Sequence, residues 1–191
     1  MKNLQENYIK PLALIIRSAS FHFDIWWVYK EKNSRSKYLE VLREYPQFFN
    51  NSLEAHFLAM VVELYKLFET RKDTVNFPTL IGVIRQDKLL DKKLLGEVES
   101  SLTALKPIWV KITVLRSELF AHTALAGLYQ KGFQKANVTP KQIKDLIEGA
   151  KKLLNLISDG VDRNTYSFEQ QATTATVRIL DGLNKHIRQS G

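Results

Sequence analysis

Apolar residues recur along this chain at three- and four-residue intervals, the spacing of one face of an α-helix. The clearest run is Phe57, Met60, Val61, Leu64, Tyr65 and Phe68. Helix punctuation repeats around such runs. Pro11 predicts the first turn of a long helix that reaches about Lys30. Ser34 and Ser36 offer caps for a shorter helix ending near Glu44, ahead of Pro46. Asn51, with Glu54 three positions on, reads as the cap of the helix that ends at Phe68. Thr70 to Asn76 is polar and reads as a loop, after which Pro78 starts a short helix over Thr79 to Gln86.

A further helix is predicted from near Asp91 to about Leu105. Pro107 then implies a kink or a fresh start, followed by a helix over Ile108 to Leu128. Gly132 to Val138 reads as a break. Thr139-Pro140-Lys141-Gln142 combines a cap, a first-turn proline and a capping-box glutamine. That helix is expected to end near Asp159-Gly160, and Ser167 to Gln170 to open the last one. No period-two alternation bounded by hairpin turns is present, and no fixed repeat. The pattern predicts an all-α fold, a helical bundle of six to eight helices. No linker rich in Gly, Pro or Ser interrupts it, so 1–191 is read as a single helical domain.

Composition narrows the function. The chain has 191 residues, 45% of them hydrophobic, enough for a sizeable core. Cysteine is absent, which removes disulfides, a thiol nucleophile and cysteine-based zinc sites. The apolar run from Leu12 to Ile16 is too short for a secretory leader, and nothing approaches the roughly twenty apolar residues of a spanning helix. A cytoplasmic protein with no membrane partner is expected. The net charge of +8 favours polyanionic partners such as RNA. Much of the basic charge is interleaved with acid, however, as along Lys141 to Lys152, so single clusters also read as solvated helix faces.

The familiar catalytic signatures are missing. There is no phosphate-binding glycine loop, no HExxH and no GxSxG. The four histidines, His22, His56, His122 and His186, include no pair at the i, i+4 spacing of a helical zinc site. No metal and no cofactor is expected. One constellation remains: Leu115 to His122 reads LRSELFAH, late in a long amphipathic helix. Arg17 to His22 also matches a loose arginine-to-histidine spacing, as a chain with nine arginines will by chance.

The segment RSELFAH, preceded by the helix ending ELYKLFETR, the loop KDTVN and the short helix FPTLIGVI, resembles the HEPN superfamily, in particular its AbiU-like abortive-infection branch. The resemblance covers about residues 10–130, an HEPN-like core, with C-terminal helices over 139–188 beyond it. It favours Arg116 and His122 over Arg17 and His22. The chain departs from the family pattern in three places. Ser117 stands where many relatives have asparagine or aspartate, Thr123 and Ala124 follow the histidine where a charged residue is common, and Ala124 occupies the tyrosine position of relatives regulated by AMP transfer.

The resemblance implies a metal-independent ribonuclease, a hydrolase of the toxin–antitoxin or phage-defence kind, acting as a homodimer on RNA, with an antitoxin protein as a further partner. His122 would be the acid or base, Arg116 the phosphate ligand, Ser117 a positioning group, and Glu118 an orienter of histidine. The physical chemistry is coherent. Attack of an RNA 2′-hydroxyl on its own phosphate needs a base and an acid, and imidazole suits both near neutral pH. A guanidinium matches the charge of the phosphorane. One chain supplies one such histidine, and six residues place Arg116 and His122 about 9 Å and about 120° apart on a helix. A two-fold dimer would double the set. The residues alone leave a second class open: a non-catalytic helical scaffold or nucleic-acid-binding module in which Arg116 and His122 are structural polar groups.

Overall fold

The computed structural model describes the backbone of residues 2–121 and 128–190, and the side chains of 3–119 and 132–189. Among the described residues every regular element is helical. A short turn, Lys2–Leu4, and a π-helical segment, Gln5–Ile9, lead into α1, Lys10–Lys30. Then come α2 (Lys32–Lys37), α3 (Leu39–Glu44), α4 (Pro46–Phe68), α5 (Phe77–Gln86), α6 (Lys92–Ala121), α7 (Leu128–Ala136), α8 (Pro140–Asp162) and α9 (Ala172–Ser190).

Several boundaries differ from those the sequence predicts. Between Lys30 and Glu44 the cap is Glu31, whose carboxylate accepts from the Ser34 backbone N–H at 2.8 Å, and Tyr38 divides the stretch into two helices. Pro46 opens α4, so Asn51 lies inside the helix rather than capping it. Pro107 does not break α6. The helix is anchored on both sides of it. Upstream, Leu105 lies against Gly149 of α8, where a β-carbon would collide with the leucine. Downstream, the Trp109 indole donates to the Tyr65 carbonyl at 3.1 Å. Tertiary contacts therefore carry the turn that has lost a donor. Gly132 sits within α7, facing the Leu115 side chain. The last helix starts at Ala172, not at Ser167.

Other punctuation is as the sequence predicts. Asn76 caps α5, accepting from Thr79 N–H at 2.8 Å. Thr139 and Gln142 close a reciprocal capping box at the start of α8.

The chain divides into two compact units. The first comprises Met1–Ala19 and Val61–Phe168. Here α6 packs against α5, α7 and α8. Its interior includes Leu12, Ile16, Leu64, Leu80, Ile112, Leu115, Leu146 and Leu154, all essentially inaccessible to water. Past α8, Asn155 holds the Tyr166 backbone through both its amide groups, and the Tyr166 hydroxyl donates to Gln5 at 2.8 Å. The second unit comprises Ser20–Met60 and Glu169–Gly191. Ile25, Val28, Tyr29, Tyr38, Val41, Phe49, Ala172 and Leu180 form its core. The buried Tyr38 donates its hydroxyl to Asp181 of α9 at 2.8 Å, and Lys37 reaches the same carboxylate. Trp26 is buried at 3% exposure and Trp27 is 37% exposed, as adjacent helical positions about 100° apart require.

Candidate functional site

The C-terminal half of α6 carries the residues singled out by the sequence. Ile112, Leu115 and Leu119 form its buried stripe. This stripe fixes the rotation of the helix, and so where the intervening polar side chains point. Arg116 is half-buried, with its guanidinium 4.4 Å from the centroid of the Tyr65 ring on α4. Tyr65 in turn stacks on Trp109, two turns before Arg116 on α6, at 6.2 Å between centroids. An aromatic platform thus supports the cation and limits its rotamers, an arrangement worth about 0.5–2 kcal/mol.

The neighbouring polar residues diverge. Ser117 is exposed and donates to the Thr113 carbonyl one turn back at 3.0 Å. Thr113 does the same to Trp109 at 3.2 Å. Glu118 turns to the other flank and accepts from Lys135 of α7 at 2.6 Å, its own side chain only 20% exposed. Arg116, Ser117 and Glu118 therefore fan out around the helix rather than converging on one point. Glu118 joins α6 to α7 electrostatically. Ser117 keeps free lone pairs, but its proton is committed to the helix. His122 lies outside the described residues.

Tyr65 and Lys135 are the partners that sequence reasoning missed. Neither has a local signal, because each reaches the motif from another helix. The second unit holds another arrangement the sequence did not reveal. His22 of α1 and His56 of α4 meet with their Nδ1 atoms 2.8 Å apart. Burial, and secondarily the neighbouring His22, holds the His56 imidazole below its ordinary pKa.

The family model described as AbiU2, of the HEPN superfamily, matches residues 1–178. The chain belongs to this family. The match runs past the core expected at 10–130 and into α9. It spans the Arg116-to-His122 motif and the Tyr65 platform alike. No curated protein and no solved structure matches. For an AbiU2-family chain, the late-helix arginine and histidine are the first residues to test. Arg116 is already held in place by a platform assembled from α4 and α6.

Proposed function

We propose that this AbiU2-family protein is a ribonuclease of the HEPN type that acts as a homodimer in abortive infection or as a toxin. The observation that carries the reading is the family match across 1–178, which includes Arg116 and His122. In this mechanism one His122 removes the proton of an RNA 2′-hydroxyl. The oxygen attacks the adjacent phosphorus, and the 5′-oxygen leaves with a proton from the dimer mate of that histidine. The products are a 2′,3′-cyclic phosphate end and a 5′-hydroxyl end. Arg116 supplies fixed positive charge to the phosphorane oxygens. Its support on Tyr65 lowers the cost of holding it there.

The test is cleavage of RNA in EDTA by wild type, His122→Ala, Arg116→Ala and His22→Ala, each shown to be folded. Loss of an acid/base group costs about 100- to 10,000-fold. His122→Ala and Arg116→Ala should fall by that order, and His22→Ala should stay near wild type. Equal activity in wild type and His122→Ala, or activity abolished by EDTA, would rule the mechanism out.

A second reading, RNA binding without cleavage, is favoured by one feature of the second unit. Arg35 and Arg43 border a cleft of about 340 Å³ lined also by Tyr29, Phe49 and Asn50. Close by in sequence, Tyr45 and Phe48 are exposed at 39% and 66%. Cations in the same segment as exposed aromatic side chains suit single-stranded nucleic acid. RNA affinity that falls in Arg35→Ala and Arg43→Ala, with no cleavage by wild type, would favour this reading.

A further inference from the structure

Two histidines that are unremarkable in sequence become a pair in the second unit. They lie 34 positions apart, and only the packing of α1 on α4 brings them together. Their Nδ1 atoms approach to 2.8 Å, with ring centroids 5.1 Å apart and planes inclined by 46°. Both residues are partly exposed, which leaves a route for an ion from solvent. Buried aromatic residues neighbour both histidines in sequence. Phe57, next to His56, and Trp26, one turn after His22, are buried and packed on each other at 5.5 Å. Phe21 presents an edge contact to both imidazoles, at 5.5 and 6.2 Å between centroids, and forms an apolar wall.

This geometry does not suit acid/base catalysis of RNA cleavage. Two imidazoles within hydrogen-bond distance share one proton between them, and no phosphate fits in the gap. It does suit coordination. Two imidazole nitrogens bound to one ion at about 2.0–2.1 Å lie roughly 2.9–3.4 Å apart, depending on the angle at the metal. The observed separation requires an opening of a few tenths of an ångström and a turn of the rings that aims both Nδ1 lone pairs at one point.

We propose that His22 and His56 form a two-histidine site for a late first-row divalent transition metal, bridging α1 and α4 within this unit. Both rings ligate through Nδ1 and carry their proton on Nε2. The ring that donates in the metal-free pair moves its Nδ1 proton to Nε2 through solvent, and the other ring, which accepts that hydrogen bond, already carries an unprotonated Nδ1. Metal binding to the neutral pair therefore releases no net proton. Binding to a pair that has taken up an extra proton releases one. Among the described residues no cluster of three or more His, Asp or Glu is placed to hold a metal, so water completes the coordination shell. Imidazole donors select Zn²⁺, Ni²⁺ and Cu²⁺ over Mg²⁺ and Ca²⁺, with Cu²⁺ bound most tightly. The proposed cleavage chemistry uses neither of these histidines and no metal.

The test uses the full chain freed of metal and titrated with ZnCl₂ by calorimetry and with CuCl₂ by tryptophan fluorescence. Cu²⁺ at the site is expected to quench Trp26, one turn from His22. Wild type and His186→Ala should bind one equivalent of Zn²⁺ and gain several degrees in Tm. His22→Gln and His56→Gln, which keep a polar side chain of similar reach, should each lose the stoichiometric binding, the Tm gain and the quenching. Circular dichroism of the metal-free variants separates loss of the site from loss of the fold. If wild type binds no Zn²⁺, or if either folded glutamine variant still binds one equivalent, the proposal is overturned.

Discussion

Arg116 illustrates how a side chain becomes usable only through its neighbours. A guanidinium at the surface of a helix samples many rotamers; this one rests 4.4 Å from the Tyr65 ring centroid. The attraction depends on the aromatic face, not on the phenol oxygen. Tyr65→Phe should therefore leave RNA cleavage near wild type, whereas Tyr65→Leu should slow it by about two- to fivefold, the equivalent of about 0.5–1 kcal/mol of lost support. Single-turnover rates at saturating RNA provide the comparison, and equal rates in the two variants would remove the platform from the mechanism. His56 supports a second prediction. Its imidazole is held below the ordinary value of 6.5, first by burial and then by His22. As pH falls through about 6.5 and below, the unfolded chain binds more protons than the folded one, so stability rises with pH over this window. Tm should drop between about pH 7.5 and pH 5.5, and His56→Gln should flatten the drop. Arg116 is a candidate in the sequence because the segment RSELFAH and the helices before it resemble the HEPN superfamily; arginine-to-histidine spacing alone also fits Arg17 and His22. Tyr65, Lys135 and the His22–His56 pair are not legible there, since each contact joins residues on different helices and no window of sequence contains both partners.

Helices in this chain start and stop for two kinds of reason. Where the reason is local, the sequence displays it. Thr139 and Gln142 close their box within four residues, with Gln142 N–H donating to the threonine hydroxyl at 3.2 Å and Thr139 N–H donating to the glutamine carbonyl at 3.1 Å. Thr139→Ala should cost about 1 kcal/mol in urea unfolding. Where the reason is tertiary, local signals mislead. Pro107 is a strong breaker in isolation, yet Leu105 on Gly149 and the Trp109 hydrogen bond to Tyr65 keep α6 continuous from Lys92 to Ala121. Pro107 is exposed, so Pro107→Ala restores the lost donor without disturbing packing. It should stabilise the fold by about 1–3 kcal/mol. An unchanged or lower urea midpoint would mean that the proline bend itself is needed for packing. Asn51 and Ser167 follow the same rule. Both are good caps by residue type, but α4 begins earlier, at Pro46, and α9 later, at Ala172.

For the molecule as a whole, the proposed chemistry requires two copies, because one chain brings one His122 to the motif. Val110 stands 47% exposed on α6, an apolar residue on the helix expected to meet its symmetry mate. Light scattering should give twice the 22.1 kDa chain mass at micromolar concentration, and Val110→Asp should shift the protein towards monomer and reduce cleavage with it. A monomer throughout would remove the two-histidine mechanism. The division into two units carries a different kind of consequence. The second unit takes its core from two stretches, 20–60 and 169–191, with all of 61–168 between them in the chain. On a ribosome, Ile25, Val28, Tyr29, Tyr38 and Phe49 emerge from the exit tunnel long before Ala172 and Leu180, the residues that complete their cluster. During that interval a nascent chain exposes aromatic and branched side chains that attract chaperones. Tyr38 likewise waits for Asp181 before its hydroxyl finds its acceptor. The order of translation thus sets when this unit can finish: not before residue 181 has been made and has cleared the tunnel.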